Sequence, residues 1–437
     1  MDKSILSPTF LTFTLGCRVN QAETADLENQ LVSAGVVPYQ SVSTYRYINT
    51  REKPFLVLIN TCAVTKKAEI ESQKTVRHFK KLYPKSKVIA LGCAADFISQ
   101  ADLVVKNEDK ENSVRIIFQN FSNLASASIN NKQLTISNQM FISGRALIKI
   151  QDGCNNFCSY CIVPFLRGKP KSIPQKETIC KINKLVNLGI KEITLCGINL
   201  GLYQPGVINL LKKILSQTSV ERVALSSVEP DMVTKEFADL FLKEPRLVKY
   251  FHLALQSGSP KVLKDMGRKT NLEKLSKILH FIKLKCPEFT FRADILVGFP
   301  TETEENFQET LDFIQKNKIS FVHTFPFSVR PGTKAEGFIK SGTWKDFPAK
   351  IKKERVKKVI SLAKKIRIEE GKELKDEILP CLIIKEKEAV ANNSWPVKIR
   401  IMNNEQRIME MRRKIVPVKI IGLKDNYLLG EITSFPT

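Results

Sequence analysis

Short apolar runs followed by helix-forming sequence recur along this chain and constrain its fold more than any other feature. In the first hundred residues, "FLTFTLGC", "FLVLINTC" and "KVIALGC" each end in a cysteine, and the first two lead into polar stretches at 21–34 and 66–82. Strands that alternate with helices predict a parallel α/β sheet with right-handed crossovers. We therefore expect an N-terminal α/β domain at residues 8–125.

The three cysteines that close these runs are Cys17, Cys62 and Cys93. In a parallel α/β sheet, ligands bind outside the carboxyl ends of the strands. We therefore expect the three thiols to meet on one rim of the sheet, although they are far apart in sequence. The alternative is that each is a small buried hydrophobic residue, which is the usual role of a lone cysteine.

A second series of strand–helix units follows a stretch rich in Asn, Ser and Gln at 119–140, which predicts a domain junction. Its six β-like runs are "ALIKIQDGC", "EITLCGINLG", "RVALSSVEP", "YFHLALQSG", "FRADILVGFP" and "FVHTFPFS". Six such units fall short of the eight in a complete barrel. We expect a partial (β/α)6 barrel within 140–370, with a wide mouth lined by the strand ends.

The last hundred residues change character twice. Residues 340–367 carry eleven Lys and Arg against two acids, and apolar residues recur there at helical spacing, namely Val356, Val359, Ile360, Ala363 and Ile366. This pattern predicts an amphipathic helix with a basic face, which either contacts RNA or is simply solvated. Four short β-rich runs after Gly371, namely "LPCLIIKE", "WPVKIRIM", "KIVPVKIIGL" and "NYLLGEIT", predict a small antiparallel β domain at 371–437.

The net charge of +25 suggests a polyanionic partner, most simply nucleic acid, although a lysine-rich proteome would give the same excess. No stretch approaches the ~20 consecutive apolar residues of a membrane span. The N-terminus lacks a basic region followed by an uninterrupted apolar segment, and Pro8 interrupts it. We therefore expect no membrane association and a cytoplasmic location.

The stretch "GCNNFCSYC" contains Cys154, Cys158 and Cys161 and is the strongest local signal in the chain. In a cytosolic protein, clustered cysteines indicate metal binding rather than disulfides. A structural zinc site usually takes two C-x2-C pairs, and no second pair follows nearby. Three thiolates on a four-iron cluster leave one iron open. The spacing therefore favours a [4Fe–4S] cluster whose open iron chelates a small molecule.

The C-x3-C-x2-C motif on a partial barrel resembles the radical S-adenosylmethionine superfamily. The resemblance is narrower, because the chain is similar to the methylthiotransferase family over nearly its whole length. The motifs that carry it are "TLGCRVNQAE", "INTCAVT", "RALIKIQDGCNNFCSYCIVPFLRG", "SSVEP", "LALQSGS", "RADILVGFPTETEENF" and "FPFSVRPGT". The motif "GCRVNQ" at 16–21 resembles the branch that methylthiolates N6-threonylcarbamoyladenosine at position 37 of tRNA.

This resemblance implies two [4Fe–4S] clusters and the cofactor S-adenosylmethionine. Cys154, Cys158 and Cys161 would be catalytic, because they would hold the cluster that binds S-adenosylmethionine. By position, Cys17, Cys62 and Cys93 match the ligands of the second cluster. The implied partners are the anticodon loop of tRNA, an electron donor such as flavodoxin or ferredoxin, and a sulfur source. The β-rich tail would be a TRAM-like domain that binds RNA.

Polar residues at the ends of the barrel strands are candidate contacts to S-adenosylmethionine, although such residues also cap helices. The candidates are Ser226, Ser227, Glu229, Gln256, Ser257 and Asp294. Arg167 and Arg330 follow strand-end loops, and we interpret them as contacts to tRNA. The other cysteines, Cys180, Cys196, Cys286 and Cys381, have a predicted structural role.

The chain also departs from the family pattern. Thr301 stands where the family commonly has glycine, "GCAAD" replaces the usual Gly-Cys-Tyr-Ala-Gln, and residues 387–396 lack much of the family's β-domain signature. Four alternatives stay open. The substrate could be isopentenyladenosine-37 of tRNA or an aspartate of a ribosomal protein. The chain could also be a radical enzyme that inserts no sulfur, which would not need Cys17, Cys62 and Cys93, or a non-catalytic RNA-binding module.

Overall fold

The computed structural model describes residues 8–39, 53–121, 124, 143–400 and 410–434, and these form two compact units. The first unit contains the described chain up to residue 124, together with Gly153–Asn155 and Ile162–Lys169. The second unit contains the other described residues. The junction predicted at 119–140 lies almost entirely outside the described residues.

The first unit contains a five-stranded parallel sheet with the order β2-β1-β3-β4-β5. Its elements are β1 (Thr9–Thr14), α1 (Arg18–Ser33), β2 (Val37–Pro38), β3 (Leu56–Thr61), α2 (Lys66–Leu82), β4 (Lys87–Gly92), β5 (Leu103–Val105) and α3 (Ser113–Asn120). The parallel α/β sheet predicted from the sequence is therefore confirmed.

Strand β3 is buried on both of its faces, which explains its uninterrupted apolar sequence. Leu56 and Leu58 belong to a core cluster that includes Leu31 of α1. The alternate residues Val57 and Ile59 belong to a second cluster, which includes side chains of α2. Full burial of one such aliphatic side chain contributes about 1.5–3 kcal/mol. The two clusters hold the strand ends, and the cysteines that follow them, in place.

The second unit begins with two four-stranded sheets, β7-β6-β8-β9 and β10-β11-β12-β13. The strands are β6 (Arg145–Asp152), β7 (Lys171–Ser172), β8 (Glu192–Gly197), β9 (Arg222–Leu225), β10 (Ser227–Val228), β11 (Tyr250–Gln256), β12 (Thr290–Val297) and β13 (Ile319–Pro326). Only Ser226 separates β9 from β10, so one extended segment contributes to both sheets. Apart from the antiparallel edge strand β7, the pairs are parallel, as in the predicted partial barrel.

The remaining helices are α4 (Val163–Arg167), α5 (Gln175–Asn187), α6 (Val207–Gln217), α7 (Lys235–Lys243), α8 (Pro260–Asp265), α9 (Leu272–Lys285), α10 (Glu304–Lys316), α11 (Lys334–Lys340) and α12 (Ala349–Glu373). Helix α4 belongs to the first unit. Several helices begin at a polar cap, because a side-chain oxygen accepts a backbone N–H of the first turn. Thr303 forms a capping box with Asn306 at the start of α10.

The basic helix predicted at 340–367 begins later, at Ala349, because Gly342 and Pro348 interrupt the sequence before it. Its basic face is also smaller than predicted. Lys352 is buried and donates to the carbonyl oxygen of Phe327, and Arg355 is buried against the carboxylate of Glu302. Ile360, assigned to the apolar face, is half exposed.

The C-terminal segment of the second unit is a closed barrel with the order β14-β15-β16-β18-β17. The strands are β14 (Ile378–Lys385), β15 (Glu388–Ala391), β16 (Pro396–Ile399), β17 (Ile415–Lys424) and β18 (Tyr427–Ile432). All pairs are antiparallel except β16 with β18. Trp395 is buried in its core. Among the helices in the described part of the chain, none is both long and apolar enough to cross a membrane.

Candidate active site

Three adjacent strands of the first unit end at the same rim of the sheet. Cys62 and Cys93 follow β3 and β4 directly, and Cys17 is the N-cap residue of α1, which follows β1. Cys62 and Cys93 are buried, whereas Cys17 is exposed. The thiols are close enough for Cys93 and Cys17 each to influence the acidity of Cys62. The structure therefore brings together the three cysteines that the sequence places on this rim.

Gly16 makes this approach possible. Its φ of +92° lies in a region that side-chain-bearing residues rarely adopt. A Cβ at Gly16 would lie 2.8 Å from both Cβ and Sγ of Cys62, which is too close for two nonbonded atoms. The residue before Cys17 therefore has to be glycine for the loop to pack against Cys62.

Burial makes the thiols of Cys62 and Cys93 reluctant to ionise. Burial, with a smaller contribution from the neighbouring thiols Cys93 and Cys17, raises the pKa of Cys62 to about 11. Burial also raises the pKa of Cys93, against the opposing effect of the Arg167 and Lys110 cations. A group that needs thiolate ligands therefore has to displace protons here, with two cations favouring the thiolate of Cys93.

Arg167, the last residue of α4, lies in this first unit with its side chain fully buried. Its Nε–H donates to Sγ of Cys93 at 3.2 Å. Its Nη1 donates to Oε1 of Glu23 at 3.0 Å, and its Nη2 donates to Oδ1 of Asn20 at 2.7 Å. Lys110 donates to the same Glu23 carboxylate. The interpretation of Arg167 as a tRNA contact is therefore wrong, because no part of the guanidinium reaches the surface.

The C-x3-C-x2-C segment lies between β6 and α4. Cys154 belongs to the first unit, and its N–H donates to the carbonyl oxygen of Gly168 at 3.0 Å. Cys158 and Cys161 belong to the second unit, where the N–H of Cys161 donates to the carbonyl oxygen of Cys158 at 3.0 Å. Between Cys158 and Cys161, the backbone N–H of Ser159 donates to the carbonyl oxygen of Met266 at 2.9 Å. The Ser159 hydroxyl donates to the carbonyl oxygen of Asp265, also at 2.9 Å. These bonds fix the turn that carries both thiols.

Arg268 and Glu229 form a partly buried ion pair beside this turn, in which the Arg268 side chain is the more buried partner. Nη1 of Arg268 lies 4.0 Å from Sγ of Cys158, and Nη2 donates to the Glu229 carboxylate and, at 2.6 Å, to the carbonyl oxygen of Ala254. Burial raises the pKa of Glu229, and the Arg268 cation opposes that shift. A fixed positive charge therefore lies next to a thiol of the motif.

Asp294, on β12, contacts a side chain from each of the other three strands of its sheet, β10, β11 and β13. Nε2 of His252 lies 2.9 Å from its Oδ1, and Nδ1 of His323 lies 3.4 Å from the same oxygen. Oγ of Ser227 donates to Oδ2 at 3.3 Å. Although burial alone would raise the pKa of Asp294, the hydrogen bonds from both histidines hold it well below its usual range. Asp294 is therefore a carboxylate at neutral pH.

The residues predicted to contact S-adenosylmethionine thus differ in their surroundings. Ser227 and Asp294 lie together, and Glu229 pairs with Arg268. Gln256, at the end of β11, has an unusual φ of +69°, a conformation often found at functional sites. The hydroxyl groups of Ser257 and Thr310 are hydrogen-bonded to each other in the core.

The interpretation of Arg330 as a tRNA contact is also wrong, because its side chain is buried. Sequence reasoning missed several residues of both sites, namely Asn20, Glu23, Lys110, His252, Arg268 and His323. For His252 a signal was present, because it lies an even number of residues before the candidate Gln256 on the same strand, and alternate residues of a strand share a face.

Two family models match the chain. The Radical SAM superfamily matches residues 148–314, and Uncharacterized protein family UPF0004 matches residues 9–115. Among solved structures, the radical S-adenosylmethionine methyltransferase TsrM from Kitasatospora setae gives a TM-score of 0.53 at 15% identity. The alignment covers 76% of this chain and 77% of that one, and it shows a shared fold.

Curated relatives extend over almost the full chain. The threonylcarbamoyladenosine tRNA methylthiotransferase MtaB of Aquifex aeolicus is 32% identical, over 88% of this chain and 95% of the relative. The MtaB of Bacillus subtilis is 31% identical, over 96% and 94%. A tRNA-2-methylthio-N(6)-dimethylallyladenosine synthase of Thermoanaerobacter is 29% identical, over 85% and 81%. The chain belongs to the radical SAM methylthiotransferase family, in the branch named for threonylcarbamoyladenosine of tRNA.

Proposed function

We propose that this protein replaces the hydrogen at C2 of N6-threonylcarbamoyladenosine-37 in tRNA with a methylthio group. One observation carries the proposal. The three cysteines on the rim of the first unit, Cys17, Cys62 and Cys93, occur in a chain that also has the C-x3-C-x2-C motif. A radical enzyme that does not insert sulfur has no need of the second set.

Both sets of thiols suit a [4Fe–4S] cluster. Thiolates are the ligands such clusters take, and three of them leave one iron open. We assign Cys154, Cys158 and Cys161 to the cluster that binds S-adenosylmethionine, and Cys17, Cys62 and Cys93 to the second cluster. In the second set, the Arg167 and Lys110 cations favour the thiolate of Cys93, which supports a negatively charged occupant.

The chemistry requires these groups, because the C2–H bond of adenine is neither acidic nor hydridic and amino-acid side chains cannot cleave it. When bound, the clusters and S-adenosylmethionine supply the radical and the methylated sulfur that the substitution needs.

The protein's own residues bind and orient. Arg268 holds a positive charge near Cys158, and Asp294 orients His252, which is buried, and His323, which is exposed. We assign Ser227, Glu229, Gln256 and Asp294 to contacts with S-adenosylmethionine. Ser227 and Asp294 are already joined by a hydrogen bond, which supports a shared binding surface.

The tRNA would present an extruded base from its anticodon loop, since sequence-specific RNA recognition targets unstacked bases in single-stranded loops. Exposed lysines on one face of α12, namely Lys350, Lys353, Lys357 and Lys364, are available for phosphate contacts. The closed five-stranded barrel is the TRAM-like element of this proposal. An electron donor such as flavodoxin or ferredoxin, and a separate sulfur source, complete the reaction in the cytoplasm.

A second candidate substrate is isopentenyladenosine-37, because a relative at 29% identity is a dimethylallyladenosine synthase. The motif "GCRVNQ" favours the threonylcarbamoyl substrate over this one, and over a ribosomal-protein aspartate.

The test uses the full chain after anaerobic cluster reconstitution. It is incubated with S-adenosylmethionine, a reductant and two anticodon stem-loops, one carrying threonylcarbamoyladenosine and the other isopentenyladenosine. We expect mass spectrometry to detect the methylthio product from the first stem-loop only. Product from the second alone would overturn the substrate assignment. A reconstituted chain that cleaves no S-adenosylmethionine would instead be a non-catalytic RNA-binding module.

A further inference from the structure

One buried guanidinium touches the proposed second cluster site directly. Arg167 has no exposed side-chain surface, and its Nε, Nη1 and Nη2 donate to Cys93, Glu23 and Asn20, respectively. Nη2 also donates to the second carboxylate oxygen of Glu23 at 3.3 Å. Burying a charge is costly unless it is paired and hydrogen-bonded. The buried charge of Arg167 therefore depends on these acceptors for its stabilisation.

The side-chain geometry suits arginine and no other cation. Its planar fork directs Nε at the sulfur of Cys93 while Nη1 and Nη2 remain on Glu23 and Asn20. A lysine ammonium has three donors on one atom and cannot span acceptors placed this far apart. Asn20 is itself held, because its Nδ2 donates to the carbonyl oxygens of Leu15 and Thr61 at 2.9 Å each. The direction of the N–H toward sulfur is therefore fixed by the fold.

The charges around Cys93 do not balance on their own. Arg167 and Lys110 are two cations, and Glu23 is the one carboxylate to which both donate. This leaves one positive charge in excess among these three buried side chains. An oxidised [4Fe–4S] core with three thiolates carries a single negative charge, because its two positive charges meet three negative ones. The excess in the protein matches the charge of the proposed occupant.

We propose that Arg167 is a positioning residue of the second cluster, and that its N–H donation to Cys93 and its positive charge raise the reduction potential of that cluster. This inference rests on the proposed function, which places a cluster on Cys17, Cys62 and Cys93. Hydrogen bonds and positive charge at a cluster sulfur stabilise the reduced state, because that state carries one more negative charge.

The test is a redox titration of the full chain with Cys154, Cys158 and Cys161 replaced by alanine, so that the second cluster is the one observed. Dithionite supplies the single electron of the couple, and electron paramagnetic resonance follows the reduced cluster. Arg167→Met removes both the donor and the charge, whereas Arg167→Lys keeps the charge. Arg115→Met is the matched control, because Arg115 is an exposed arginine of the same unit.

At a fixed potential, we expect Arg167→Met to lower the ratio of reduced to oxidised cluster by about tenfold, equivalent to about 59 mV for a one-electron couple. Arg167→Lys should fall between Arg167→Met and the control. An Arg167→Met potential equal to that of Arg115→Met would overturn the inference. Lys110 still pairs with Glu23 in Arg167→Met, which favours folding. If that variant nevertheless fails to fold, an unshifted potential in Arg167→Lys would overturn the inference instead.

Iron content separates this inference from the proposed function. With Cys154, Cys158 and Cys161 replaced, further replacement of Cys17, Cys62 and Cys93 by alanine should abolish the remaining iron. Iron that persists would contradict the cluster assignment itself. Iron that disappears, combined with an unshifted potential in the Arg167 variants, would contradict only the role of Arg167.

Discussion

Nε2 of His252, on β11, donates to Oδ1 of Asp294, on the neighbouring strand β12, at 2.9 Å. The direction follows from the chemistry, because an ionised carboxylate has acceptors only. Asp294 lies on a strand between those of His252 and His323, so one carboxylate orients two imidazoles. This part of the sheet is therefore organised around Asp294.

Asp294→Asn should destabilise the protein by about 1–3 kcal/mol at pH 7, because it replaces a carboxylate that accepts several hydrogen bonds. The folded-state pKa of Asp294 lies below its ordinary value, so its contribution is complete above about pH 3.9 and is lost as the pH falls further. Urea unfolding of the cluster-free chain at pH 7 and pH 3 measures both effects. The control is Asp312→Asn, at an exposed carboxylate. If the free energy of unfolding of Asp294→Asn differs from that of the wild type by as much at pH 3 as at pH 7, this account is contradicted.

Arg268→Met should destabilise the protein by about 3 kcal/mol, because it leaves the Glu229 carboxylate buried without its cation. Glu229 already has a raised pKa, and loss of Arg268 raises it further. The destabilisation should therefore be full above the raised pKa of Glu229, decrease as the pH falls through that pKa and the folded protein takes up a proton, and be fully relieved at the ordinary value of about 4.3. Unfolding of Arg268→Met and of the double variant Arg268→Met/Glu229→Gln tests this. The double variant should be more stable than Arg268→Met at pH 7, and the opposite order would rule out an unpaired carboxylate as the cause.

Gly16→Ala should displace Cys62 and reduce the iron bound by Cys17, Cys62 and Cys93, because the added Cβ would lie 2.8 Å from Sγ of Cys62. The matched control is Gly206→Ala. That residue also has a positive φ, of +111°, but a Cβ there meets no atom within 4 Å. Both variants carry backbone strain of about 1–3 kcal/mol, so a difference between them isolates the contact with Cys62. Iron content after reconstitution is the measurement, and equal iron in the two variants would show that the contact is unimportant.

Alkylation should distinguish the three thiols of the rim in the cluster-free protein. The thiolate is the reactive form, and the pKa of Cys62 is about 11. Its reaction with iodoacetamide should therefore accelerate about tenfold per pH unit from pH 8 to pH 10, and it should be slower than that of the exposed Cys17. Peptide mass spectrometry at timed intervals measures both rates. A Cys62 rate that levels off near pH 9 would contradict the raised pKa.

Much of the site was predictable because local sequence determines it. Cys17, Cys62 and Cys93 each follow an apolar run, and parallel strands bring their carboxyl ends to one edge. The family motifs then supplied the chemistry of both cysteine sets.

What the sequence did not reveal depends on contacts between distant residues. Arg268 lies 39 residues after Glu229, and no local pattern pairs them. Arg167 follows the C-x3-C-x2-C motif, which suggested a position at the mouth of the barrel, yet its segment packs in the first unit beside Cys93. Strand β15 was missed because it falls at 388–391, where the resemblance to the family is weak.

The central claim is tested most directly by the nucleosides of cellular tRNA, measured by mass spectrometry in a host without its own enzyme of this kind. Expression of the wild-type chain should produce 2-methylthio-N6-threonylcarbamoyladenosine. Expression of the variant with Cys17, Cys62 and Cys93 replaced by alanine should leave N6-threonylcarbamoyladenosine unmodified. The account would be contradicted if cells that express the variant contain the same methylthio nucleoside. It would also be contradicted if that nucleoside is absent from cells whose wild-type chain is folded and carries its clusters.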